Sequence, residues 1–107
     1  MTTANQSQAE TIHDEIDIEE YAKRGERPPP AHRYRIRIDR DKFVVATPHP
    51  TGRELLTVPG KAPPERFSLT QKLRGGAVRP VGLDEAVDLT QPGVERFMTL
   101  PLDQTEG

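Results

Sequence analysis

Between Arg33 and Ile38 the chain reads Arg-Tyr-Arg-Ile-Arg-Ile, an unbroken alternation. Successive side chains of a β-strand point to opposite faces. Tyr34, Ile36 and Ile38 therefore share one face, and Arg33, Arg35 and Arg37 the other. Asp39, Arg40 and Asp41 supply a turn, and Lys42 to Ala46 read as a second strand. The stretch is a β-hairpin with an apolar inner face and a cationic outer one.

The pattern changes after this hairpin. Thr51 and Glu54 have the spacing of a capping box, ahead of Leu55, Leu56 and Val58. Pro59 and Gly60 stop the helix after about two turns at 3.6 residues per turn. So short a helix must be held by packing. Lys61 to Glu65 form a loop. "RFSLTQKL" then alternates Phe67, Leu69 and Leu73 with polar residues, as a half-buried strand does. Gly75 and Gly76 accept positive φ and turn the chain into "AVRPV". Pro80 confines that returning strand to an edge or a strand end. "LDEAVDLTQPGVERF" brings Val87 and Leu89, then a Gln91-Pro92-Gly93 turn, and "ERFMTL" is a last strand with Phe97 inward. The expected core is Ile36, Ile38, Phe43, Val45, Leu55, Phe67, Leu69, Val87 and Phe97.

One third of the 107 residues are hydrophobic, 30% are charged and 11 are proline. That is too polar for the whole chain to share one core. Residues 1–30 hold seven acids and three bases, a net −4, and residues 31–107 hold ten acids and twelve bases, a net +2. The expectation is a disordered, acidic, Pro-rich arm over 1–31, a folded domain over 32–100, and a flexible tail over 101–107. Ile12 and Ile16 would share a helical face, with Tyr21 following. The arm is either a solvated tail with scattered apolar residues or a short motif that folds on a partner. Its charge either lies against Arg33, Arg35 and Arg37, or leaves them a solvated strand face. Pro28 to Pro30 form a stiff extended spacer.

Several functional classes find no support. There is no cysteine, hence no disulfide and no thiolate chemistry. No apolar run reaches membrane-spanning length, and the N-terminus lacks the regions of a signal peptide. A net charge of −2 gives no reason to expect nucleic acid. A cytoplasmic protein is expected. His13, His32 and His49 fall in separate predicted loops without ligand spacing. Asp84, Glu85 and Asp88 read as a solvated loop or cap. No metal, cofactor or catalytic residue is expected, and the chain is not read as an enzyme.

"TGRELLTVPGKAPPERFSLTQKLRGG", "LDEAVDL" and "PGVERFMTL" resemble the bacterial multiubiquitin family over about Arg33 to Leu100. The resemblance implies an α+β, β-grasp (ubiquitin-like) fold, a mixed sheet of 4–5 strands on one short helix. It implies a modifier protein served by an adenylating activating enzyme, a ubiquitin-carrier-like enzyme and a JAB-type metalloprotease, and attached to protein targets. Several such gene sets are associated with antiphage defence. Leu73 to Gly76 spell LRGG, the ending of mature ubiquitin. Here the letters fall where one strand turns into the next, so they are read as a hairpin turn.

The same resemblance places the chemistry at Thr105, Glu106 and Gly107. The carboxylate of Gly107 would be adenylated, passed to enzyme thiols and delivered to a target amine or hydroxyl. Glycine has no Cβ to obstruct that approach. Ubiquitin and sulfur carriers end in Gly-Gly, and Glu106 in place of the first glycine suggests a dedicated enzyme. The alternatives are a sulfur carrier with a terminal thiocarboxylate and a non-conjugated interaction module.

Overall fold

A computed structural model of the chain describes residues 12–102. Its elements are β1 (His13–Asp17), α1 (Ile18–Arg24), β2 (Ala31–Ile38), β3 (Asp41–Val45), α2 (Gly52–Thr57), a 3-10 turn (Pro64–Arg66), β4 (Phe67–Leu73), β5 (Val78–Val81) and β6 (Val94–Pro101). The strands form one mixed sheet in the order β1-β2-β6-β4-β5, with β3 paired to β2. β2 runs parallel to β6 through Ile38 and Phe97, and the β2–β3 and β4–β5 pairs are antiparallel hairpins. This is the expected α+β, β-grasp arrangement.

The alternation in β2 does what it predicts. Tyr34, Ile36 and Ile38 are at most 2% exposed, while Arg33 and Arg35 face outward. In β3, Phe43 stands opposite Ile36 and Lys42 opposite Arg37. The capping box of α2 is complete: Glu54 N donates to Thr51 Oγ1 at 3.2 Å and Thr51 N to Glu54 Oε1 at 2.9 Å. Leu55 and Leu56 project from this helix into the core.

Residues 82–91 form no named strand, but they run beside the entry to α2. Val87 N donates to Pro50 O, Leu89 N to Pro48 O and Gly52 N to Glu85 O. These bonds seal Val87 and Leu89 inside. A Cβ on Gly52 would lie 2.2 Å from the Gly82 carbonyl oxygen, so that crossing admits only glycine.

Three expectations are corrected. The arm drawn over 1–31 is, among the described residues, largely part of the sheet. His13–Asp17 is a sixth strand, parallel to β2, so the sheet exceeds the expected 4–5 strands. Ile18–Arg24 is a second helix. Asp17 caps it by accepting from Glu19 N at 3.0 Å, and Gly25 ends it in the left-handed region at φ 70°. Ile16, Ile18 and Ala22 are buried, which supplies the apolar contact that the polar composition hides. Ile12 does not join Ile16 on one face; it is exposed. Finally, Phe43 and Phe67 only pack against the core's margin, because β3 has no neighbour beyond β2 and Phe67 opens β4 beside a loop. Their places are taken by Tyr34, Leu56, Leu89 and Val94.

Candidate functional site

Thr105, Glu106 and Gly107 lie outside the described residues. The strand that leads to them does not. β6 anchors itself with Phe97, which is fully buried, and pairs along β4 from Leu73–Val94 to Phe67–Pro101. Asp39 holds β6 from the other side. Its N–H donates to Phe97 O at 2.8 Å, and its carboxylate accepts from Thr99 N at 2.8 Å and Thr99 Oγ1 at 2.7 Å. Asp39 sits at φ 57°, a conformation that Asp tolerates better than most residues. Beyond Pro101, Leu102 N donates to Arg66 O at 2.8 Å, while Leu100 is 67% exposed. The chain thus reaches Leu102 along a strand fixed on both sides.

The second feature is the ionic seam between the arm and the β2–β3 hairpin. Arg33 contacts Asp14 at 2.9 Å and Glu15 at 3.3 Å, and Arg35 pairs with Glu15. Arg37 and Lys42 are like charges directly across the hairpin, a repulsive placement. Glu19 lies between them, at 3.0 Å from Arg37 and 2.9 Å from Lys42, and Asp17 approaches Lys42 at 2.5 Å. Burial pushes the Glu19 carboxyl up, but hydrogen bonds from Lys42 and Arg37 outweigh it and hold it below the usual range. Burial likewise presses the Lys42 ammonium down, and its bonds to Asp17 and Glu19 leave it raised. Of the two sequence readings of these arginines, the structure has the one in which the arm lies against them.

The LRGG turn is a turn. Gly75 and Gly76 sit at φ 93° and 99°, and Gly76 N donates to Leu73 O at 2.9 Å. The Arg74 guanidinium lies 3.0 Å from where a Cβ on Gly25 would stand, so this hairpin comes close to the end of α1.

The histidines are not brought together. His49 approaches Asp88 at 3.6 Å, and among the described residues no group of three His, Cys, Asp or Glu side chains is placed to hold a metal ion. Asp84 and Glu85 do not face each other as a catalytic pair; Asp84 meets Arg53 and Glu85 meets Arg79. No helix of the described residues is long and apolar enough to cross a membrane. Sequence reasoning passed over Asp39, Thr99, Glu19 and Lys42, because each acts on a partner distant in sequence. Only the Asp17 cap and the Gly25 stop gave a local sign that the arm folds.

A family model described as Multiubiquitin matches residues 34–101, from Tyr34 in β2 to the last residue of β6. No curated protein and no solved structure matches the chain.

Proposed function

The chain therefore belongs to the multiubiquitin family, and from that premise we propose that it is a ubiquitin-like modifier, activated at the carboxylate of Gly107. In this reading the chain is a substrate and the catalytic groups belong to its partners. A cognate adenylating enzyme forms the acyl-adenylate, a thiol of a carrier enzyme takes the acyl group, and an amine or hydroxyl of a target protein receives it. A JAB-type metalloprotease would release it.

The observation that carries the reading is where the family match ends. It ends on Pro101, the residue at which β6 leaves the sheet beside Phe67. The Asp39–Thr99 clamp and the burial of Phe97 keep the fold independent of what happens beyond Leu102. A terminus can then enter an enzyme channel while the domain stays folded.

Intact mass spectrometry tests this on the full chain, incubated with the adenylating enzyme, the carrier enzyme and ATP. Thioester and target adducts are expected, and deletion of Gly107 abolishes them without moving the melting temperature. A thiocarboxylate, one oxygen replaced by sulfur, would make the chain a sulfur carrier. An unchanged mass would make it an interaction module. Adducts that persist after the deletion would overturn the role of Gly107.

A further inference from the structure

A cleft of about 210 Å³ opens beneath the β4–β5 hairpin, on the side of residues 85–91. It is smaller than the roughly 300–1,000 Å³ of sites that enclose a drug-sized ligand, and suits one long side chain. Leu73, Ala86 and Val87 give it an apolar wall. Its charged lining is Arg79 against Glu85 and Asp88, one cation and two anions.

Two groups in the lining have unused capacity. Gln71 is only 3% exposed, and its Oε1 accepts from Arg79 Nη1 at 3.1 Å, which fixes the amide's orientation. Its amide nitrogen meets no acceptor among the described residues, although it is not sealed away from the cleft. Asp88 uses one oxygen. Thr90 N and Oγ1 donate to Oδ1 at 2.9 and 2.6 Å, and His49 Nε2 lies 3.6 Å from the same atom. Oδ2 is left over. Those bonds from Thr90, against the opposing effect of burial, hold the Asp88 carboxyl below its usual range, so it is ionised at neutral pH. Gln91, at the rim, adds a further amide.

The Gln71 amide nitrogen is thus open to the cleft, where a ligand carbonyl can replace water as its acceptor. We propose that this cleft receives a lysine or arginine side chain of a partner protein. The alkyl stem lies on Leu73 and Val87, the cationic head meets Asp88 Oδ2, and a backbone carbonyl beside it accepts from Gln71. Long basic side chains bind in this manner, with an apolar stem and a polar tip. Pairing of a whole partner strand along β5 is disfavoured, since Pro80 has no N–H to offer. The site lies toward the Leu73 end of β4, away from the Phe67–Pro101 end where the tail departs, and the proposal stands apart from conjugation.

The test is a titration of the isotope-labelled full chain, followed by amide shifts. The probes are three blocked tripeptides, Gly-Arg-Gly, Gly-Lys-Gly and the neutral Gly-citrulline-Gly. Saturable shifts at Gln71, Val87 and Gln91 are expected with both basic peptides, and at least tenfold weaker binding with citrulline. Asp88→Asn keeps an acceptor for Thr90 while removing the charge, and should weaken the basic peptides at least tenfold. Ala86→Leu should fill the cleft and do the same. Melting curves of both variants separate lost binding from lost folding. Absence of saturable shifts with either basic peptide, equal binding of citrulline, or shifts that map away from the cleft would overturn the proposal.

Discussion

Asp39 and Thr99, 60 residues apart in sequence, are joined twice, through the backbone N–H and the hydroxyl of Thr99. Both bonds end on one carboxylate, at the turn of the first hairpin. They tie the hairpin to the last strand where β2 has ended and its ladder can no longer do so. Hydrogen bonds to charged groups contribute about 1.5–3 kcal/mol. Asp39→Ala should cost that much, with added backbone strain at φ 57°. Asp39→Asn should cost less, because Asn tolerates that conformation and keeps an acceptor. Thr99→Val removes one of these two bonds to the carboxylate and should cost about 1.5–3 kcal/mol. Denaturant unfolding of the single and double variants checks this, and strictly additive losses would contradict the pairing.

The arm should prove part of the domain. Ile18 is buried against the sheet, so Ile18→Ala should destabilise by about 2–5 kcal/mol. Deletion of residues 1–25 removes Ile16, Ile18 and Ala22 together and should abolish cooperative melting. A sharp transition close to that of the full chain would show that β1 and α1 are dispensable. The sequence alone favours that second outcome, since it treats this segment as a tail.

Stability should depend on pH through Glu19 and Lys42. Glu19 is held below its ordinary value of 4.5. Its contribution is therefore present above about pH 4.5 and is lost as pH falls through the lower folded value. Lys42 is raised above its ordinary 10.5, so its contribution is present below that value and fades as pH rises beyond it. Glu19→Gln should flatten the acid limb of a stability–pH curve and leave the region near neutrality less stable. An acid limb unchanged by Glu19→Gln would assign it to other carboxylates.

Glycines should divide into two kinds. Nothing lies within 4 Å of a Cβ built on Gly75 or Gly76, so substitution there meets only backbone strain, about 1–3 kcal/mol for a non-glycine residue held at such φ. Gly52 is the reverse. Its backbone is helical, but a Cβ meets the Gly82 carbonyl, so Gly52→Ala must displace residues 82–86. Hydrogen–deuterium exchange should show Val87 and Leu89 amides losing protection in Gly52→Ala and keeping it in Gly75→Ala. Equal protection in both variants would refute the close approach.

What could be read from the sequence was whatever a short window contains. The alternation of Tyr34, Ile36 and Ile38, the Thr51–Glu54 box and the Gly75–Gly76 turn each complete their argument within a few residues. The arm escaped that reading because its apolar residues are few and its acids look solvated in isolation. Their partners, Arg33, Arg35, Arg37 and Lys42, lie beyond three prolines. Asp39 looked like a turn residue and is one; nothing near it reveals that its carboxylate is spoken for by Thr99. Hydrophobicity points Phe43 and Phe67 to the core, but it does not tell that β3 lies at an edge or that Phe67 opens β4 beside a loop. Gln71 is polar by type, yet it falls on the same face as Leu69 and Leu73 and is 3% exposed.

The parallel contact of Ile38 with Phe97 also sets an order of events. β1, α1, β2 and β3 can assemble from one contiguous third of the chain, whereas β2 and β6 must wait for nearly all of it. Contacts of high sequence separation carry the larger loop-closure cost and tend to form late. On a ribosome, β6 emerges well after β1, α1, β2 and β3. A chain broken off before Phe97 would lack its central ring and its last strand alike. Such a fragment would present a partner neither the closed sheet nor the β2–β6 contact, so the fold itself would set it apart from a chain that carries β6.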